Sequence, residues 1–258
     1  MMDFSDEIRA YARKKGADLV GITPMERIKK YAVPKGSEAH EALPDAQSVV
    51  VMAKGMIPSV LKLIPSRVFD DYRYMTIYQT SMISLDVARL LYDKGYDAIP
   101  ISSYSPALFN QKEFQEKLDT VVLRPAAVEA GLGEMGTNGV ILTKDYGPRI
   151  FLFGVVTNAV LKPDKPFGKE LCDNCGKCIE VCPAREIGHK GMADPAKCVN
   201  TSFPQMARWT RHILKKRESK NGESEPEKML AYMTRYAMQP LPTYCMKCIE
   251  ICPIGRNP

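Results

Sequence analysis

A chain of 258 residues can build one large core or two modest ones, and 45% hydrophobic with 26% charged residues is the balance of an ordinary globular protein. No apolar run approaches the roughly 18 residues that cross a bilayer, and no basic segment followed by an apolar one opens the sequence. The expectation is therefore a cytoplasmic protein with neither a membrane span nor a secretory leader. The formal charge of +6 suggests an acidic partner only if nothing anionic is bound.

Residues 4–15 place Ile8, Ala10, Tyr11 and Ala12 among charged neighbours, which predicts a short amphipathic helix ending near Gly16. Residues 17–23 predict a first strand, followed by Pro24 and a helical turn to about Tyr31. Residues 32–44 are polar with two prolines and read as loop. Residues 48–53 are apolar on both faces, the pattern of a central strand. Pro58 and Pro65 interrupt residues 55–70, which read as a lid or helical loop. From about Asp71 to Lys94, Met75, Tyr78, Met82, Leu85, Val87 or Ala88, and Leu91 recur at helical steps. They predict a long helix that buries this stripe and stops at Gly95.

Residues 96–101 predict another strand. The Ser-, Tyr-, Pro- and Asn-rich segment 102–113 directly after it is a candidate pocket loop. A helix is expected over 123–130. Residues 140–143 and 149–156, joined through Asp145 and Pro148, predict a β-hairpin. Pro163, Pro166 and Gly168 mark a boundary that divides the chain into 1–165 and 166–258.

Between the helix and the hairpin lie Gly131, Leu132, Gly133, Gly136, Asn138 and Gly139. The bare G-x-G-x-x-G pattern is met, but it follows a helix instead of a strand, which argues against a dinucleotide fingerprint. Two readings remain: a tight helix–strand corner, or a bare backbone surface for a large flat ligand such as a flavin or a corrinoid.

The eight cysteines are the strongest signal. Cys172, Cys175, Cys178 and Cys182-Pro183 have the spacing C-x2-C-x2-C-x3-C-P, and Cys245, Cys248 and Cys252-Pro253 repeat its second half, with Cys198 between. In such runs the fourth cysteine ligates the other cluster of a [4Fe–4S] pair. One cluster then takes Cys172, Cys175, Cys178 and Cys252, and the other Cys198, Cys245, Cys248 and Cys182. Proline after the last cysteine stops the chain from continuing as a helix into the cluster. Two zinc sites would also use eight cysteines, but zinc ligands usually come in pairs, not in a triple run. Each cluster with its thiolates carries about −2, which brings the formal charge near +2 and disfavours nucleic acid as a partner. A basic helical insertion at about 199–244 contains Arg208, Arg211, His212, Lys215, Lys216, Arg217 and Lys220. It reads as a solvated face, with a docking surface for an acidic partner or a phosphate backbone the alternative.

Tyr74, Tyr78 and Tyr104 are candidate proton donors to a substrate under reduction, with ordinary packing the competing role of each. Arg124 and Glu129 are candidate positioning residues or surface groups. His40, His189 and His212 are scattered and suggest no metal triad.

The stretch from Arg124 through Gly131, Gly133, Gly136 and Gly139 to Arg149, then Val156 to Pro166, resembles the corrinoid-dependent iron–sulfur reductases, which comprise the reductive dehalogenases and the epoxyqueuosine reductases. Leu90 to Pro100 is similar to the dehalogenase segment before the pocket. The resemblance implies an α+β protein: a nitroreductase-like α/β domain that holds base-off cobalamin, then a ferredoxin-like domain with two [4Fe–4S] clusters. Electrons from a low-potential donor such as ferredoxin or flavodoxin would pass through the clusters to cobalt. There a small-molecule substrate would be reduced, with Tyr78 or Tyr74 matching the dehalogenase tyrosine. FMN is the weaker candidate for the same pocket.

The departures are informative. The epoxyqueuosine reductases place an aspartate after the strand that ends here at Ile101, whereas this chain has Ser103, Tyr104, Ser105 and Pro106. That argues against epoxyqueuosine reduction. The helical-repeat extension and the twin-arginine leader of the two groups are also missing, so the expectation is a minimal cytoplasmic member. The alternative function is an electron-transfer or activator protein that reduces a corrinoid or flavin held by a partner.

Overall fold

A computed structural model of the chain describes residues 3–31, 43–64, 66–103, 123–188 and 245–255. The candidate residues Tyr104 and Cys198, the basic insertion and most of the expected pocket loop lie outside the described residues.

Helix α1 (Phe4–Lys15) opens under an Asp3 cap, whose carboxylate accepts from Ser5 N, and closes on Gly16 at φ 111°. Strand β1 (Leu19–Pro24) and the short helix α2 (Met25–Lys29) follow. Strand β2 (Ser48–Gly55) is buried along almost its whole length, as its continuous apolar run predicts. Val50 and Met52 belong to the core under one face, while Val49, Val51 and Ala53 belong to the core under the other.

Residues 55–70 form helix α3 (Pro58–Leu61) and the first turn of helix α4 (Arg67–Asp93). Helix α4 starts where Ser66 Oγ accepts from Phe69 N. It ends in a Schellman turn, with Gly95 N bonded to Tyr92 O and Tyr96 N to Leu91 O. Strand β3 (Ala98–Ile101), helix α5 (Leu123–Glu129), strands β4 (Glu134–Met135) and β5 (Ile141–Leu142), and strand β6 (Ile150–Thr157) complete this part.

The main sheet has the order β1-β2-β6-β3, and every neighbouring pair is antiparallel. Helices α1 and α4 cover one face; α2 and α5 cover the other. The fold is a mixed α+β architecture. The edge of β1 is protected by the connector after β6: Ile22 N donates to the Asp164 carboxylate, and Asp164 N returns a bond to Ile22 O. Arg9 holds Asp164 in place from α1. No described helix is long and apolar enough to cross a membrane.

Two expectations are corrected. The predicted hairpin does not form. Strand β6 is already flanked by β2 and β3, so β5 pairs with β4 in a separate ribbon, and only a Thr143–Gly147 bridge closes the intervening turn. The buried face of α4 matches the predicted stripe only at its end, at Val87, Ala88 and Leu91. Met75, Tyr78, Met82 and Leu85 are exposed, Tyr78 by 70%, while Ile77, Thr80, Ser84, Val87 and Leu91 face inward. The hydroxyls at buried positions are bonded: Thr80 Oγ1 lies 2.7 Å from Ser103 Oγ, and Ser84 Oγ donates to Ile101 O at 2.9 Å.

Strand β1 passes so close to the corner after α5 that a Cβ at Gly21 would penetrate the Ala130 carbonyl and the Leu132 side chain. Gly21→Ala is expected to destabilise the protein by about 2–3 kcal/mol, since one obstacle is backbone and cannot swing aside. Urea unfolding of the variant checks this.

Glu129 is buried at 4% exposure and so is not the surface group that was one of its expected roles. Its carboxylate accepts from Tyr31 Oη at 2.8 Å and pairs with Lys30 Nζ at 2.6 Å. Burial pushes its pKa up, but the bonds from Lys30 and Tyr31 outweigh this and leave it below the usual value. Its stabilising contribution is therefore present above the unfolded pKa and is lost as pH falls through the folded one. Glu129→Gln is expected to cost about 1 kcal/mol at neutral pH, since solvent screens the exposed Lys30, and to cost less than that in acid. Unfolding midpoints of the two proteins across the acid range test the sign.

Candidate iron–sulfur site

After the connector, helix α6 (Lys177–Glu180) carries Cys178, and helix α7 (Lys247–Ile251) carries Cys248. Both are single short turns, as expected where cysteines alternate with tight loops. Cys172, Cys175, Cys178 and Cys252 all line one cleft, together with Thr137, Asn138 and Pro253. The first run and the last cysteine of the second run, seventy residues apart, are thus brought to one place.

Among the described residues, no three His, Cys, Asp or Glu side chains converge as ligands of a single metal ion do. Around one zinc, every sulfur lies about 2.3 Å from the same centre. Around a cubane, each sulfur binds a different iron, so the four stand further apart. Four thiols on one cleft supply soft sulfur donors of the kind that iron or zinc takes. Of the other four cysteines, Cys182, Cys245 and Cys248 are described and Cys198 is not.

The electrostatics divide the thiols. Burial opposes the Cys172 thiolate, but hydrogen bonds from the Thr137 hydroxyl and from the Thr137 and Asn174 backbone outweigh it and lower the pKa. At Cys182 burial is likewise outweighed, here by the backbone N–H groups of Glu186, Ile187, Ala184 and Arg185, which form a small anion nest. Burial pushes Cys178 and Cys252 up, and the neighbouring Cys172 and Cys175 add repulsion at both. Four thiolates in one cleft disfavour one another, and a cationic centre would relieve that.

The loop after α5 seats both cysteine runs. The Glu134 carboxylate accepts from Leu171 N at 2.7 Å and also from Cys172 N. Thr137 Oγ1 is 3.3 Å from Cys172 Sγ, and Asn138 Nδ2 points to Cys248 O at 3.5 Å. From the start of β6, the buried Arg149 guanidinium donates to Ile249 O at 3.2 Å, to Cys252 O at 3.0 Å and to Ile254 O. Met246 and Ile249 pack with Met56, Phe69, Tyr72 and Phe151. Glu134, Thr137 and Arg149 were not singled out as site residues from the sequence. The available signal was the position of Glu134 and Thr137 inside the glycine segment, where Asn138 alone of these polar members was named.

The glycine segment itself makes a tight corner. The side on which a Cβ would stand is taken by Lys165 O at Gly131, by Leu142 O at Gly133, and by the Leu142 and Asn138 side chains at Gly136. Leu132 is buried in the core, and Gly139 O accepts from Arg124. These contacts are with the chain itself, so the corner offers no open cradle at those three faces. Tyr78 stands exposed on α4, and Tyr74 is half-buried beneath the Arg73 guanidinium, 5.1 Å from its ring centroid. Tyr72, not either of these, packs on the cluster that includes Met246 of the second cysteine run, and its Oη accepts from Ile57 N.

No family model matches the chain. It is 41% identical over 97 residues to a tetrachloroethene reductive dehalogenase of Desulfitobacterium hafniense, a match covering 35% of this chain and 18% of the relative. It is 27% identical over 222 residues to an epoxyqueuosine reductase of Bacillus cereus, covering 77% and 57% respectively. A catabolic reductive dehalogenase solved with 3-bromo-4-hydroxybenzoic acid aligns over 77% of this chain and 29% of its own, with TM-score 0.61 and 24% identity. An epoxyqueuosine reductase structure from Bacillus subtilis aligns over 98% and 65%, with TM-score 0.58 and 20% identity. Over these stretches the chain is similar to the reductive dehalogenases and the epoxyqueuosine reductases, and it spans only part of the length of these relatives.

Proposed function

We propose that the protein is an iron–sulfur reductase with two domains, 1–165 and 166–258. It receives electrons from a low-potential donor such as ferredoxin or flavodoxin and uses a corrinoid to reduce a small organic substrate. The observation that carries the redox part is the meeting of Cys172, Cys175, Cys178 and Cys252 in one cleft. Those four would hold one [4Fe–4S] cluster; Cys182, Cys198, Cys245 and Cys248 would hold the other, in a ferredoxin-like unit. When bound, the clusters supply one-electron transfer at low potential, and a corrinoid supplies the reduction itself.

The chain's own part is placement. Glu134 fixes the backbone at Cys172, Arg149 gathers three carbonyls around Cys252, and the N–H nest stabilises the Cys182 thiolate. Tyr74, Tyr78 and Tyr104 remain the proposed proton donors. The corrinoid is proposed on sequence likeness alone. The similarity to reductive dehalogenases suggests a halogenated organic compound as the first substrate class to test.

The closed corner at Gly131, Gly133 and Gly136 favours a second reading, in which the protein passes electrons to a corrinoid or flavin held by a partner. Titration of the anaerobically reconstituted protein with cobalamin separates the two. Conversion to the base-off absorption spectrum at stoichiometric protein supports the corrinoid reductase. No binding, with electron delivery to a separately held corrinoid, supports the carrier, and tight FMN binding would favour a flavin in its place.

A further inference from the structure

Thr137 Oγ1 lies 3.3 Å from Cys172 Sγ and 2.9 Å from Asn174 Oδ1, and Asn174 Oδ1 is itself 3.8 Å from the same sulfur. The threonine comes from the corner loop of the amino-terminal part, and the asparagine from the cysteine run. Asn174 is held at φ 53°, a left-handed conformation that Asn tolerates better than most residues, and this keeps its amide beside the sulfur.

One hydroxyl proton serves one acceptor well. A Cys172 thiol can donate to the Asn174 carbonyl oxygen, but a metal-bound thiolate has no proton and needs donors. The two ends of an amide are alike in shape, and turning Asn174 over exchanges them. Asn174 Nδ2–H then donates to Thr137 Oγ1, and the Thr137 hydroxyl is left to donate to the sulfur.

We propose that Thr137, backed by Asn174, sets the reduction potential of the cluster held by Cys172 by donating a hydrogen bond to that sulfur. This rests on the iron–sulfur reading above. The step concerned is one-electron reduction of the cluster core from 2+ to 1+ by the low-potential donor; no bond breaks, and the threonine keeps its proton. Reduction puts negative charge on the sulfurs, so a donor stabilises the reduced form more than the oxidised one and raises the potential. Because the donor belongs to the other part of the chain, the potential depends on the cysteine run being seated against the corner loop. Thr137 is a positioning residue in this account, not a ligand.

The test is an EPR-monitored redox titration of the anaerobically reconstituted full chain. Thr137→Val is expected to disfavour reduction of one cluster roughly tenfold, which at 59 mV per decade for a one-electron couple is about 59 mV more negative. Thr137→Ser is expected to restore the parent potential. Asn174→Gly, which suits the positive φ, is expected to move it in the same direction as the valine variant. Pulsed EPR of the reduced parent should show a strongly coupled exchangeable proton that Thr137→Val lacks, a signature that a merely structural role would not supply. Variants that hold the cluster at an unchanged potential overturn the proposal. So does failure of both Thr137→Val and Asn174→Gly to assemble it, since Thr137 is then structural. Failure of the underlying reading looks different: the parent itself gives no cubane signal.

Discussion

Cys252→Ser is expected to strip the protein of one of the two proposed clusters, lowering bound iron from about eight to about four per chain and removing about half of the cubane absorbance near the visible edge. The effect is large because Cys252 closes a set whose other members are contiguous. Cys172, Cys175 and Cys178 come from one loop, whereas Cys252 reaches the same cleft from the far end of the chain. Without it, three thiolates that already repel one another would have to hold the metal alone. A serine oxygen is a harder and more basic donor than a thiolate, and it favours iron–sulfur assembly poorly. Iron and acid-labile sulfide analysis of the reconstituted variant reads the result. Full occupancy would remove Cys252 from the ligand set.

Arg149→Met is expected to cost about 3–4 kcal/mol and to loosen the carboxy-terminal run from the sheet. The guanidinium is 7% exposed and gathers the carbonyls of Ile249, Cys252 and Ile254, all within a few residues of a proposed ligand. A buried carbonyl left without its donor loses far more than an exposed one, and three are affected at once. The backbone permits the approach because Gly147 has no Cβ, where one would strike Ile254 O. Arg149→Lys should recover only part of the loss, since an ammonium is a point charge and cannot reproduce the planar fork. Denaturant unfolding gives the stability, and iron retention gives the consequence for the site. Unchanged values for both would mean that the carboxy-terminal run is held by its packing on Met56, Phe69 and Phe151.

Of those two residues, only Cys252 was legible in the sequence. The cysteine spacing grouped it with Cys172, Cys175 and Cys178, and these four line one cleft. Strand β2 was equally plain, since a strand buried on both faces has no polar alternation to confuse it. Helix α4 was misread up to Leu85 for a physical reason. Its apolar stripe Met75, Tyr78, Met82 and Leu85 competes with a second stripe through Ile77, Thr80, Ser84, Val87 and Leu91, and the second is the buried one. Thr80 and Ser84 are tolerated there because their hydroxyls bond Ser103 and Ile101 at the end of β3, a partnership invisible from periodicity. The hairpin failed likewise on a long-range fact: β6 had both neighbours already.

The glycine segment left a tight corner and a ligand surface open as readings, and the structure uses its bare backbone for the chain's own close approaches. Its polar members Glu134, Thr137 and Asn138 carry the contacts to the cysteines. Nothing in the spacing of Arg149 marks it, since its partners are carbonyls a hundred residues away.

The most direct measurement is the EPR spectrum of dithionite-reduced, anaerobically prepared protein, taken with iron and sulfide counts on the same sample. The account predicts the rhombic signals of reduced [4Fe–4S] centres, with about eight iron and eight sulfide per chain. An EPR-silent sample with about two zinc atoms and no sulfide would contradict it.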